Sequence, residues 1–321
     1  MTKQVVLIDA KNLVYATHWV HRFLSSKGRS TSVLYGGFNV LVGMAKRMPD
    51  TPFVFVWDGN GKTWRHRITK GEYKGNRLPP NDEMKPALEQ IPEFRKQLDR
   101  FGFRQFCVDG FECDDLIGIL TAAIIKNDLF SKVIIKSSDK DFYQLTTDRI
   151  GVMRSFDKEK GEHSLLFAND VMAEIELHPT EWVKVRALTG EKTDNIPQIQ
   201  RGLGPKTAIK MIKAGLDTSV EDFKTLPWQT RQDFGLLATQ WSKVRMNYNL
   251  SQIVRSWDDA RIDNEEVRKQ LKKIVNDLTT ESFYRDPKKL NEEGFLALRE
   301  FMLEYEMENL FEDRTTLWQM P

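Results

Sequence analysis

Val5-Val6-Leu7-Ile8-Asp9 is an unbroken apolar run that ends on an acid, and the reading of the whole chain starts from it. The pattern returns at Phe53-Val54-Phe55-Val56-Trp57-Asp58 and at Val133-Ile134-Ile135-Lys136-Ser137-Ser138-Asp139. Short runs that are apolar at every position belong to strands buried on both faces, as in parallel sheets covered by helices. Further candidate strands are Phe103–Val108 and Ile150–Arg154, with helical patterns between them near Val33–Arg47, Ile91–Phe101 and Asp115–Asn127. The expected fold class is therefore α/β, a mostly parallel sheet with helices on both faces.

Beyond about residue 170 the strand signal fades. Thr180–Leu188 and Lys206–Lys213 read as helices around a Gly202–Pro205 turn, and Phe295–Leu310 resumes an apolar helical pattern. The expected organisation is an α/β core over 1–170 and a helical region over 171–321. One stretch fits neither pattern. Gly59–Pro80 is rich in Gly, Lys and Arg and reads as a long loop or arch (about 59–95) inserted after the second strand. It carries Lys62, Arg65, Arg67, Lys70, Lys74 and Arg77 against the single acid Glu72 between Lys62 and Arg77.

Composition excludes several classes. With 40% hydrophobic and 29% charged residues the chain is neither disordered nor fibrous. Its two cysteines, Cys107 and Cys113, have no CxxC or Cys/His spacing, so a disulfide scaffold and a zinc module are both excluded and a reducing cytoplasm is expected. The apolar run Ile119–Ile125 is too short to cross a bilayer, and Met1-Thr2-Lys3 leads straight into a strand with no export signal. Val5–Tyr15 has no glycine-rich phosphate loop, which argues against a dinucleotide-binding module.

The carboxylates carry the chemistry. Asp9, Asp58 and Asp139 fall at or near the C-terminal ends of candidate parallel strands, the edge where open α/β sheets bind ligands. Glu112, Asp114 and Asp115 follow a fourth strand at the start of a helix. Such a crowd cannot persist as bare anions, and hard divalent cations, Mg²⁺ or Mn²⁺, resolve the repulsion. Two ions about 4 Å apart serve phosphodiester chemistry. Taken singly, Asp114 and Asp115 also suit a helix N-terminus, and Asp9 and Asp58 suit turns. The constellation is far more specific than its members.

At this point the sequence resembles the 5′-nuclease family of flap endonucleases and 5′–3′ exonucleases, which includes the 5′-nuclease domain of bacterial DNA polymerase I. The resemblance rests on Val5–Tyr15 (VVLIDAKNLVY), Val56–Arg77 (VWDGNGKTWRHRITKGEYKGNR), Gly110–Leu120 (GFECDDLIGIL), Ser137–Leu145 (SSDKDFYQL) and Leu188–Ala208 (LTGEKTDNIPQIQRGLGPKTA). Standalone, virus-encoded members are the expected nearest kin, in the host cytoplasm. The resemblance implies a structure-selective 5′ nuclease that uses two divalent ions, Mg²⁺ or Mn²⁺, to remove 5′ flaps or RNA primers in DNA replication. It assigns a first metal site to Asp9, Asp58, Glu112 and Asp114, with Asp115 in the same cluster. Asp139 and Asp141 are shared with, or belong to, the second, which includes Glu191 and Asp194. Glu191 departs from the family's Asp, lengthening the side chain by about 1.5 Å.

By the same resemblance Lys74 and Arg77 act beside the scissile phosphate, while Arg65, Arg67, Lys70 and Tyr73 contact DNA. Gly202, Gly204, Lys206 and Thr207 form the turn of a helix–hairpin–helix (about 180–215), where K⁺ bridges to duplex backbone. DNA with a 5′ flap, nick or RNA primer is the implied substrate, and a monomer the implied state. Replication proteins are candidate partners through the C-terminal region. Two alternatives stand beside this reading: a degenerate relative that binds branched DNA without cutting, and a related metal-dependent ribonuclease.

Overall fold

The structure is a computed structural model and describes residues 4–157, 162–283 and 300–307. β1 (Gln4–Asp9) leads into α1 (Ala10–His21), a small ribbon β2 (Ser25–Ser26) and β3 (Arg29–Ser30), and α2 (Ser32–Arg47). β4 (Phe53–Trp57), α3 (Trp64–Ile68), α4 (Lys85–Arg100), β5 (Arg104–Cys107), α5 (Cys113–Lys126) and β6 (Lys132–Lys136) follow. β7 (Ile150–Asp157) and β8 (Glu162–Leu166) complete the sheet. The rest is helical: α6 (Ala168–Ile175), α7 (Trp182–Thr189), α8 (Pro205–Lys213), α9 (Trp228–Asp233), α10 (Trp241–Ser251), α11 (Glu265–Asn276) and α12 (Thr280–Phe283).

The main sheet runs β5-β4-β1-β6-β7-β8, parallel throughout except for the antiparallel edge pair β7–β8. The chain winds outward from β1 through β4 to β5, then returns to β6 on the other side of β1. That reversal opens a crevice at the C-terminal ends of β1 and β6, the place where such sheets hold ligands.

The unbroken apolar runs have a simple cause. Val6, Ile8, Phe53, Phe55 and Trp57 face Leu13, Phe38, Phe94 and Leu98 of α1, α2 and α4. Val5, Leu7, Val54, Val56, Val133 and Ile135 face Leu116, Ile117, Leu120 and Ile124 of α5 on the other side. Alternate residues thus enter different cores, and each fully buried side chain contributes about 1.5–3 kcal/mol.

The later chain divides. Trp182, Val185, Leu188, Ala208, Ile212, Trp241 and Val244 build a core of their own. After α10 the chain comes back to the sheet: Ile253, Val254, Ile262, Val267 and Leu271 cover α5, and Phe301 and Met302 pack with Phe38 on the opposite face. Within the charged stretch beginning at Asp258, α11 thus buries an apolar face and leaves its charges in solvent. The tail Glu312–Pro321, positions 284–293 and half of Phe295–Leu310 lie outside the described residues.

The basic insertion sits after β4 as expected, but its first half does not project. Trp64, Arg65 and Tyr73 are buried, and α3 lies down against the core. The reason is that this segment brings two large aromatic surfaces, which gain more by packing than by standing in water. The exposed run is 75–83.

Gly118 of α5 marks the tightest contact of the returning chain. A Cβ there would lie 2.2 Å from the Val254 carbonyl oxygen. Gly118→Ala is therefore expected to lower stability by about 1–3 kcal/mol through overpacking. Helix propensity alone would raise it by about 1 kcal/mol. A denaturant titration that found stabilisation would refute this close packing.

Candidate metal and nucleic-acid site

Asp9 ends β1 and caps α1. It accepts from the Asn12 amide at 3.0 Å and from Ser137 Oγ at 2.9 Å. Loss of water around it raises its carboxyl to about 6, with Asp58 adding to the rise. Asp58, one residue beyond β4, accepts from the Cys113 amide at 2.9 Å and pairs with Lys11 Nζ at 3.1 Å. Asp139 follows β6 and caps the tight turn Lys140–Leu145 by accepting from the Asp141 amide at 2.8 Å. Its carboxylate reaches the surface, yet desolvation by the surrounding chain, then Asp141, Glu191 and Asp9, raise it to about 7.

The acids form one continuous field. Asp9 is raised by Asp58, and Asp139 by Asp141, Glu191 and Asp9. Glu191 in turn is raised by Asp141 and Asp194, and Asp194 acts on Glu112. Burial, then Asp115 and Glu112, hold Asp114 well above the usual carboxylate range, against the pull of Arg65.

The protein's own cations neutralise only part of this field. Glu112 accepts from Arg65 Nη1 at 2.6 Å and from Lys74 Nζ, with Tyr73 Oη at 3.3 Å. Burial would raise Glu112, but Arg65 and Lys74 prevail and hold it low. Arg186 pairs with Asp141 and Glu191, Arg77 with Asp194, and Lys11 with Asp58. Among the described residues, Asp9, Asp114 and Asp139 pair with no Lys or Arg. These are the acids that resist ionising most. A cation from outside would stabilise all of them as anions.

An all-oxygen donor set of this kind suits Mg²⁺ or Mn²⁺. Zinc chemistry finds no purchase at the nearby thiol. Cys113 is buried, and desolvation with Asp9 and Asp58 pushes it well above the usual thiol range, so it stays protonated and donates to the Val56 carbonyl at 3.2 Å.

Two expected site residues have other work. Asp115 clusters with Glu112 and Asp114, with ligand atoms within 4.8 Å of one another. However, its Oδ1 accepts from Arg65 Nη2 and the Val254 amide, each at 2.9 Å. Its Oδ2 accepts from Trp64 Nε1 at 2.8 Å and Arg65 Nη1 at 2.6 Å. With both oxygens engaged and no exposure, Asp115 anchors Trp64, Arg65 and Val254 to the start of α5, and would reach an ion only by giving up those donors. Arg65, expected at the DNA, is 1% exposed and also donates to the Leu250 carbonyl at 2.8 Å. It cannot reach a phosphate without abandoning a buried pair.

The remaining basic residues separate. Tyr73 is buried with Ile196 and Leu250 and offers no stacking face. Arg67 pairs with Asp263, and Lys70 is exposed in a left-handed turn. Lys74 and Arg77 reach the acid field through Glu112 and Asp194. Gly202, Gly204, Lys206 and Thr207 form a separate patch at the start of α8, with open space where either glycine would carry a Cβ. Sequence reasoning missed Lys11 and Arg186. The available signal was an arginine among the apolar residues Val183, Val185, Ala187 and Leu188, just before Glu191.

Strand-end carboxylates gathered at the reversal point of a parallel sheet define an acid-centred α/β domain. The chain belongs to the family described as 5′-3′ exonuclease, N-terminal resolvase-like domain, whose model matches residues 4–176. Among its relatives, DNA polymerase I of Bacillus subtilis is 33% identical over 214 residues, 66% of this chain and 23% of that one. A 5′-3′ exonuclease of Buchnera aphidicola is 26% identical over 257 residues, 78% of this chain and 86% of that one. The chain thus spans about a quarter of the length of the DNA polymerase I relatives. The fold also matches T5 5′-exonuclease with bound zinc, at a TM-score of 0.64 and 18% identity over 85% of this chain and 98% of that one. The catalytic core of Rad2 in complex with DNA substrate matches at 0.51 and 16% identity, over 96% and 91%.

Removing one partner of a buried ion pair leaves the other uncompensated. Arg65→Met is expected to lower stability by about 3–5 kcal/mol in chemical denaturation, because Asp115 and Glu112 lose their charge partner. A loss under 1 kcal/mol would mean that the guanidinium is dispensable.

Proposed function

We propose that this chain is a divalent-metal-dependent, structure-selective 5′ nuclease, acting on DNA as a flap endonuclease and 5′–3′ exonuclease. The observation that carries this reading is that Asp9, Asp114 and Asp139 pair with no Lys or Arg among the described residues, so part of the acid field is left without a cation among them. Membership of the 5′-3′ exonuclease family supports it. So do similar structures, among them a T5 flap endonuclease with DNA and metal ions, and human GEN1 with Holliday junction DNA.

Asp9, Asp114 and Asp139, with Glu112 and Asp58 beside them, would hold the ion. Bound Mg²⁺ or Mn²⁺ supplies Lewis acidity for phosphodiester hydrolysis. Lys74 and Arg77 would stand at the rim as fixed cations. Burial works against the charge of each, but Glu112 and Asp194 outweigh it, so both stay protonated. Charges already in place need no reorganisation when negative charge develops on a phosphate. The exposed run 75–83 would guide the single-stranded 5′ end.

The start of α8 would hold the duplex. Pro205 leads the helix, Lys206 and Thr207 are exposed, and free backbone N–H groups at a helix start suit a phosphate. A K⁺ ion at this turn would bridge to the backbone. Contacts of this kind ignore base sequence, so selectivity would come from the shape of the junction. Removal of 5′ flaps or RNA primers during replication in the cytoplasm is the corresponding role. No helix among the described residues is long and apolar enough to cross a membrane.

A 5′-labelled duplex carrying a single-stranded flap tests the reading: cutting near the junction in Mg²⁺, abolished by EDTA, is expected. Asp139→Asn should slow cutting by more than about 100-fold, beyond what loss of an outer-shell partner costs, while flap binding persists. Unchanged cutting would remove Asp139 from the site. Lys206→Ala should weaken duplex binding alike for every sequence and reduce the salt slope of log K by about 0.9. An unaltered slope would take α8 out of the interface.

A further inference from the structure

Arg186 plays no part in the reading above, yet it occupies a decisive place. From the last turn of α7 its Nε donates to Asp141 Oδ1 at 2.6 Å and its Nη2 to Glu191 Oε2 at 2.5 Å. Thr193 Oγ1 fastens the other Glu191 oxygen at 2.9 Å. Arg77 meanwhile engages Asp194. Of the acids that the family resemblance gives to a second divalent ion, shared or its own, Asp139, Asp141, Glu191 and Asp194, only Asp139 pairs with no arginine among the described residues. The donor set therefore does not fit a second ion as it stands. One oxygen of each of Asp141, Glu191 and Asp194 already accepts from a guanidinium group. An incoming dication would also meet a fixed positive charge.

Glu191 belongs to the same device. An Asp at this position would end about 1.5 Å short. The longer side chain meets a guanidinium that comes from the helix just before it, while Asp141 closes the fork from the other side. Arg186 keeps its charge because a guanidinium is not deprotonated in proteins.

We propose that Arg186 is a built-in cation in place of the second divalent ion, so that the free chain binds one divalent ion tightly, at the acids that Arg186 leaves free. This rests on the nuclease reading of the same crevice. Arg186 acts here as a positioning residue: it neutralises Asp141 and Glu191 and keeps them from competing for the ion. Replacing it with an uncharged side chain of similar length would free both carboxylates.

The test counts Mn²⁺ bound to the full chain without DNA, by the electron paramagnetic resonance signal of the free ion. One tight ion per wild-type chain and two per Arg186→Met chain are expected. Two tight ions on the wild type overturn the inference, however the variant behaves. So does a folded Arg186→Met chain that still binds one, with only its thermal midpoint lowered, since that is a purely structural role. The flap assay separates the two readings. A wild type that cuts with two tight ions sinks this inference alone, and a wild type that never cuts sinks the nuclease reading.

Discussion

The guanidinium of Arg65 is the constraint from which the site follows. Inside a protein a charge must be paired, and its partners must be held well enough that pairing outweighs the loss of water. Arg65 meets that demand by joining stretches of chain that are remote in sequence. It engages Glu112 and Asp115 in the first turn of α5 and the Leu250 and Gln252 carbonyls at the end of α10. Trp64 packs its ring 4.5 Å from the same guanidinium and donates to Asp115. The first turn of α5 is thereby fixed with Asp115 turned inward and Glu112 neutralised. Asp114, between them, accepts from the Asp115 amide at 3.0 Å and pairs with no Lys or Arg among the described residues.

Charge is distributed to match. Glu112 and Asp114 stand two positions apart on one helix start, yet their carboxyls move in opposite directions. Desolvation raises both, but Arg65 and Lys74 touch Glu112 directly and reverse its shift. Asp114 has no such contact, and neighbouring acids add to its rise. The same division runs across the crevice, where Lys11, Arg77 and Arg186 pair with outer acids while Asp9 and Asp139 pair with no Lys or Arg among the described residues. The result is a deficit of positive charge at one place, bounded by cations on several sides. Such a place attracts a small hard cation first, and a polyanion against the rim next.

Much of this was legible in the sequence because both signals were local. Runs such as Val5–Ile8 and Phe53–Trp57 report two-sided burial directly, and the acid after each run reports the strand's C-terminal end. Long-range pairing leaves no such mark. Arg65 lies among other basic residues and reads as surface, because its partner Asp115 is 50 positions away. Asp115 reads as a ligand for the same reason. Tyr73 reads as available to bases, and only tertiary packing draws it inward. The antiparallel edge strand β8 and the return of the chain after α10 onto α5 likewise depend on contacts that no sequence window contains.

The acid crevice and its cation rim are not separable from the helical region. Residues 72–77 are laced to 192–195: the Lys74 amide donates to the Asp194 carbonyl at 2.8 Å, Asn76 Nδ2 to the Lys192 carbonyl at 3.0 Å, and Asn195 Nδ2 to the Glu72 carbonyl at 2.7 Å. Lys74 and Asn195 both adopt left-handed backbone, with φ of 56° and 57°, which costs of order 1–3 kcal/mol for residues other than glycine. Strain on both sides of one junction persists because the lacing over-determines it. Its consequence is positional: the Lys74 ammonium is set by a loop that follows α7, not by the sheet that carries the acids. Arg77 depends on Asp194 in the same way, Arg65 on carbonyls at the end of α10, and Asp115 on the Val254 amide. The sheet supplies the negative charge and the helical region fixes the positive charge around it. Each half of the site therefore derives its geometry from the other.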